Sequence, residues 1–256
     1  MKPGIRGIAV NTFRESARNK MFYLLVFFGI LFALSSKLVS FLTLGDAMKV
    51  LKDTGLAAIN FFCVLIAIFT GINLVYKEIE KKTVFNILSK PVSRDEFIAG
   101  KFLGLALTML TALGAMAVIF FAFVAVSGGG FDLGILLYFV MLYLELLVIV
   151  AISLLFSSFT TPILSFIFTV SLYLIGHVMW TYNEFKDYLA IPLWRAFTQG
   201  LYYLLPNLHK FNIKNEVVLG MAIDPWSVLF SVLYALAYVL AVLALTVLIF
   251  RRREFQ

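Results

Sequence analysis

Uncharged apolar runs alternate along the chain with short polar breaks. The first long run opens near Met21 and extends into the forties, interrupted by Lys37; the second covers about Gly55 to Tyr76, and the third about Phe102 to Val126. After the flexible turn "SGGGFD", the stretch from Asp132 to Glu184 is too long for one crossing at about 1.5 Å per residue. It divides at "SSFTTP", where hydroxyl residues and Pro162 stop and start helices. Spans of about Leu133 to Phe156 and Pro162 to Tyr182 result, and a last span of about Pro225 to Phe250 ends at "RRR". Each run approaches or exceeds the roughly 20 residues that a bilayer crossing needs. The pattern predicts an all-α polytopic membrane protein with six transmembrane helices, forming one membrane domain over residues 1–256. The ten-residue alternation of an outer-membrane barrel is absent.

Three segments outside these runs are not plain linkers. Residues 1–20 set Ile5, Ile8, Ala9 and Phe13 along one stripe, with Arg6, Arg14, Arg18 and Lys20 around it. Such a basic amphipathic helix suits an anionic membrane surface. Tyr76 to Lys101 packs ten charged residues into twenty-six positions. Within it, Glu78, Glu80, Lys81 and Lys82 precede Val84, Phe85, Ile87 and Leu88, of which 84, 87 and 88 share a helical face. Pro91 ends that short helix. Ser93 and Glu96 then form a capping box that starts the third span several residues before lipid. In residues 183–224, "IPLWRAFTQGLYYLLPNLHKFNI" is apolar and aromatic but broken by Pro192, Gly200 and Pro206. It predicts one or two short helices at the outer interface.

Composition sharpens the class. Hydrophobic residues make up 62% and charged residues 14%, with a mean hydropathy of +0.99, whereas soluble domains are about a quarter charged. The net charge of +7 matters less than its placement. The N-terminus, the loop after span two, the "SSFTT" turn and the C-terminus share a side with 14 Lys and Arg, against seven on the other. Both termini are therefore expected in the cytoplasm, with the chain in a cytoplasmic (inner) membrane. The lone Cys63 permits no internal disulfide. No cleaved signal peptide is expected, because the first apolar run follows a long polar start and no small-residue cleavage site comes after it.

Polar residues within the spans are the remaining candidates. Glu145 falls roughly 18 Å along span four, near the bilayer centre, where an ionisable side chain is functional by default. It either ties helices or two copies of the chain together as a neutral group or serves a substrate or proton path. Asn60 and Asn73 read first as inter-helix hydrogen-bond partners and second as part of that path. His177 and Met179 would suit Cu(I), but one His and one Met two residues apart do not make a site, and no metal site is expected. His209 reads as an interfacial polar tip. No catalytic constellation appears, and no G-x-x-x-x-G-K-[ST] phosphate loop occurs anywhere.

"KEIEKKTVFNILSKPVSRDEFIAGKFLG" resembles the cytoplasmic loop of ABC-2 type permeases. These tend to read E-I-E, Thr, an apolar helix, S-[RK]-P-[VI]-S-R and a Gly-Lys pair entering span three. "NTFRESARNKMFYLLVFFGILF" resembles their basic entry into span one, "LLFSSFTTP" their turn between spans four and five, and "LLPNLHKFNI" their last outer loop. The likeness is nearest to the branch described as maturation permeases for multi-copper enzymes and nitrous-oxide reductase. It implies an exporter subunit that pairs with a second permease copy and docks two cytoplasmic ABC ATPase subunits, which would bind ATP and Mg. This chain itself would need no cofactor and would not be an enzyme.

The resemblance also assigns residues. Residues 77–97 would be the coupling segment, through Glu78, Ile79, Glu80, Lys81, Lys82, Val84, Phe85, Ile87, Leu88, Pro91, Ser93, Arg94 and Glu96. The interfacial helix, with Arg6, Phe13, Arg14 and Arg18, would also lean on it. Membrane lipids are expected partners, with room for an outer accessory protein; nucleic acid is not expected. Two other readings remain open: a proton-coupled secondary transporter using Glu145, and a non-transporting membrane scaffold. Against the first, spans one to three and four to six lack the matching broken helices of inverted repeats.

Overall fold

The computed structural model describes residues 3–41, 46–80, 93–130, 132–181 and 192–252. In chain order these form α1 (Pro3–Ala17), α2 (Lys20–Phe41), α3 (Ala47–Glu80), α4 (Arg94–Val126), α5 (Leu133–Ser157) and α6 (Pro162–Val178), continued by a 3₁₀ turn over Met179–Thr181. Then come α7 (Pro192–Leu204), a second 3₁₀ turn (Leu208–Phe211), α8 (Lys214–Leu219) and α9 (Pro225–Arg252). Five helices, α2, α3, α4, α5 and α9, are long and apolar enough to cross a membrane; α6 is apolar but only 17 residues long.

Helix ends follow local chemistry where turns are short. Pro162 opens α6 in its first turn, with the "SSFT" turn before it, where a missing N–H costs nothing. Asp224 caps α9 by accepting from the N–H groups of Trp226 and Ser227 at 3.2 and 3.1 Å. The second span differs from expectation: α3 begins at Ala47, eight residues before Gly55, because Asp46 accepts from the Met48 and Lys49 N–H groups. It also runs on through Glu80, so residues 77–80 continue the span rather than opening a separate helix.

Within lipid the hydrophobic effect does not drive helices together; close packing and polar contacts do. The bundle is built on that basis around α5, which packs against α3, α4, α6 and α9. A Cβ at Gly71 of α3 would fall 2.7 Å from Ser153 Cβ, and one at Gly29 of α2 would fall 2.7 Å from Met116 Cε. The outward faces of α2, α6 and α9 carry exposed Phe27, Leu31, Ile163, Leu174, Phe230 and Leu240, a lipid-facing pattern.

The described part of the segment expected as an outer loop, from Pro192 to Asp224, packs partly into the bundle. Leu208, Phe211 and Val217 are buried in the main core, and Lys214 pairs with Asp53 of α3 at 2.8 Å. Beside it, Lys52 pairs with Asp132, the cap of α5, also at 2.8 Å. The segment after α7 therefore closes one end of the bundle rather than lying over it.

Candidate functional site

At the opposite end, α4 starts as a firmly held helix. Ser93 Oγ accepts from the Glu96 N–H at 3.2 Å, and Glu96 Oε2 accepts from the Ser93 N–H at 3.3 Å, the reciprocal box that satisfies two orphan donors. Arg94 reaches across to the last turn of α9. Its Nη1 donates to the carbonyls of Phe250 and Arg251 at 3.0 and 2.7 Å, groups that a helix C-terminus otherwise leaves unsatisfied. Asp95 pairs with Arg251. Beneath them the rings of Phe97 and Phe250 stack at 5.7 Å and 14°, both buried.

Helix α1 lies along this same end of α4. A Cβ at Gly104 would fall 2.5 Å from Thr12 Cβ and 2.6 Å from the Ala9 carbonyl; one at Gly100 would fall 2.8 Å from Ile8. Two glycines four apart let backbones approach this closely. The stripe of α1 buried against α4 is accordingly Ala9, Thr12 and Ser16, while Ile5, Ile8 and Phe13 of the apolar stripe are half-buried. Arg6, Arg14 and Arg18 are exposed. The entries of α1 and α4 and the exit of α9 thus form one packed unit.

Of the expected coupling residues, the structure brings Ser93, Arg94 and Glu96 into this unit. Glu78, Ile79 and Glu80 have backbone in the last turn of α3. Lys81, Lys82, Val84, Phe85, Ile87, Leu88 and Pro91, and with them the short amphipathic helix, lie outside the described residues.

A second cluster sits mid-bundle. Glu145 is 1% exposed, and its Oε1 lies 3.4 Å from His177 Nε2 of α6, close enough for charge interaction but without hydrogen-bond geometry. Tyr173, one turn before His177 and ring to ring with it at 4.6 Å, donates to Asn60 Oδ1 at 3.5 Å. Tyr138 donates to the Leu56 carbonyl. A cavity of about 240 Å³ lined by Asn60, Tyr138, Tyr173, His177, Asn212 and Lys214 opens toward the closed end. His177 thus stands between that cavity and Glu145. Asn60 serves as the expected inter-helix contact; Asn73 lies apart, near the α1–α2 turn.

Sequence reasoning singled out Glu145 and His177 separately but not their pairing, nor Tyr138 and Tyr173. A signal existed. Glu145 lies thirteen residues before Ser158, and His177 sixteen after Thr161. In an antiparallel hairpin that offset is about 4.5 Å, within reach of two long side chains. Among the described residues no three His, Cys, Asp or Glu side chains gather as a metal site would need.

No curated protein matches the chain. A family model described as ABC-2 family transporter protein matches residues 7–255, nearly the whole length, including the capped α4 entry, the α5–α6 hairpin and the closing loop. The chain belongs to the ABC-2 family of transporter proteins.

Proposed function

We propose that this chain is the permease subunit of an ABC exporter, coupled through residues 77–97 to separate cytoplasmic ATPase subunits. Family membership makes it a transmembrane component of an ABC transporter. The observation that carries the coupling is the clasp around Arg94, which holds the α4 entry to the end of α9 and the flank of α1. Two facts join it. The chain has no phosphate loop of its own, so nucleotide chemistry belongs to a partner. An apolar strip, Val84 to Leu88, immediately precedes the clasp and is of the kind that marks contacts.

In this reading both termini and the clasp face the cytoplasm, and α6 with its 3₁₀ extension completes six spans. ATPase closure pushes the segment before Ser93, and α1, α4 and α9 tilt together because they cannot move separately. A path then opens between two permease copies for an amphipathic or small substrate, one needed for metalloenzyme maturation among them. The test is co-purification with the ATPase and its turnover in Val84→Asp, Phe85→Asp and Leu88→Asp. Loss of docking or of turnover with normal membrane insertion is expected. An intact, fully active complex would remove the coupling role.

A second reading draws on the Glu145–His177 pair beneath the polar cavity: proton-coupled transport without an ATPase. It requires substrate flux that follows a pH gradient in vesicles lacking ATP.

A further inference from the structure

Inward of the clasp, the α1–α2 turn borders a second, half-open cavity of about 380 Å³, lined by Glu15, Ser16, Arg18, Asn19, Lys20, Thr70 and Asn73. Its character is cationic: Arg18 and Lys20 contribute two positive charges against the single carboxylate of Glu15. Neither cation is ion-paired among the described residues. It lies between the C-terminus of α1 and the N-terminus of α2, whose dipoles oppose one another there, so Arg18 and Lys20 set its sign. The Ser16 hydroxyl is 1% exposed as a residue and has no hydrogen-bond partner, an orphan that a buried polar group does not tolerate without cost.

Asn73 lines this cavity and also borders an apolar groove of about 270 Å³ between α3 and α6, formed with Phe69, Ile72, Pro162, Ile163 and Phe166. Polar pocket and greasy groove therefore meet at one residue. Both lie at the same level of α3, residues 69–73, the cationic pocket on the side of the α1–α2 turn and the apolar groove on the side of α6; a charged site beside an apolar one is what the head and a chain of one lipid would occupy. A free phosphate would use the pocket but leave the groove empty.

We propose that pocket and groove together seat one anionic phospholipid, its phosphate against Arg18, Lys20 and Ser16 and an acyl chain along Phe69, Ile72 and Phe166. The site differs from general attraction of a basic helix to a charged surface, because Arg14 on the same helix does not line it.

The test is native mass spectrometry of the full chain in detergent, titrated with dioleoylphosphatidylglycerol, dioleoylphosphatidylcholine or inorganic phosphate. One phosphatidylglycerol per chain is expected to bind more tightly than phosphatidylcholine, with Arg18→Gln and Lys20→Gln each weakening it about five-fold. Arg18→Lys should hold it as wild type does, and Arg14→Gln should change nothing. Equal losses in Arg14→Gln and Arg18→Gln would show diffuse surface attraction and overturn the site. Displacement of the lipid by millimolar inorganic phosphate, or phosphate binding without lipid binding, would make it a free-anion pocket and likewise overturn the proposal.

Discussion

Arg251 grips Asp95 across 156 residues of sequence, its Nε donating to Oδ1 at 2.9 Å. The pair is half exposed, with side chains 57% and 44% accessible, so solvent screens it and it contributes little to stability. Its geometric effect is larger, since together with Arg94 it binds the end of the last helix to the start of α4. Arg94→Ala and Asp95→Ala are expected to leave the melting temperature of the purified complex nearly unchanged while lowering substrate-stimulated ATPase activity. Equal falls in both would make the clasp a matter of stability alone.

The approach of α1 to α4 can be tested by adding one carbon. Gly104→Ala places a Cβ 2.6 Å from the Ala9 carbonyl oxygen, backbone that cannot swing aside, and overpacking of this kind costs about 1–3 kcal/mol. Gly114 lies in the same helix with nothing within 4 Å of an added Cβ. Gly114→Ala should be neutral or stabilise by roughly 0.5–1 kcal/mol. Thermal melts of the two variants, measured side by side, should move in opposite directions.

Glu145→Gln keeps the shape and hydrogen-bonding capacity beside His177. Interhelical polar contacts in membranes average about 0.6 kcal/mol, so stability should fall by no more than about 1 kcal/mol and ATP-driven transport should persist. Transport lost with normal assembly would give the carboxyl a chemical role rather than a bracing one.

The ion pair at the closed end makes a pH prediction. Burial works against the Asp132 charge, but the Lys52 ammonium and the Gly134 N–H hold its carboxyl below the ordinary 3.8. A depressed carboxyl contributes stability that is present above its unfolded value and disappears as the pH falls through the folded one. Asp132→Asn retains an acceptor for the α5 cap and removes only the charge. Its melting temperature should lie below wild type at pH 7 and converge with it below pH 3.8. A constant gap would assign the effect to the cap.

What was legible in the sequence was what is local. Runs bounded by a turn or cap within a few residues, such as α5 between Asp132 and Ser158 or α9 after Asp224, were read to within a few positions. The Ser93–Glu96 box was visible because its partners are three residues apart. The early start of α3 was not: Lys49, Lys52 and Asp53 make its first turns look like loop, and Asp132 and Lys214, which pair with Lys52 and Asp53, are distant in sequence. Which side of α1 meets α4 is likewise not local. Ile8 and the Ile5 carbonyl lie against Gly100, and Thr12 and the Ala9 carbonyl against Gly104, contacts that depend on glycines about ninety residues away. Glu145 stood out as an outlier, while its neighbour depended on helix rotation.

Packed against two helices that precede it and two that follow, α5 must enter the bilayer before the helices that surround it are all made. An ionisable group at mid-depth opposes that step by about 2.5–3.5 kcal/mol. Leu, Ile, Val and Phe each favour it by about 0.3–0.6 kcal/mol, so roughly ten of those crowding α5 suffice to carry it in alone. Its companion imidazole then arrives with the very next segment leaving the ribosome, after a turn of only four residues. The acid at the heart of this protein is thus left solitary for the shortest interval that chain order allows.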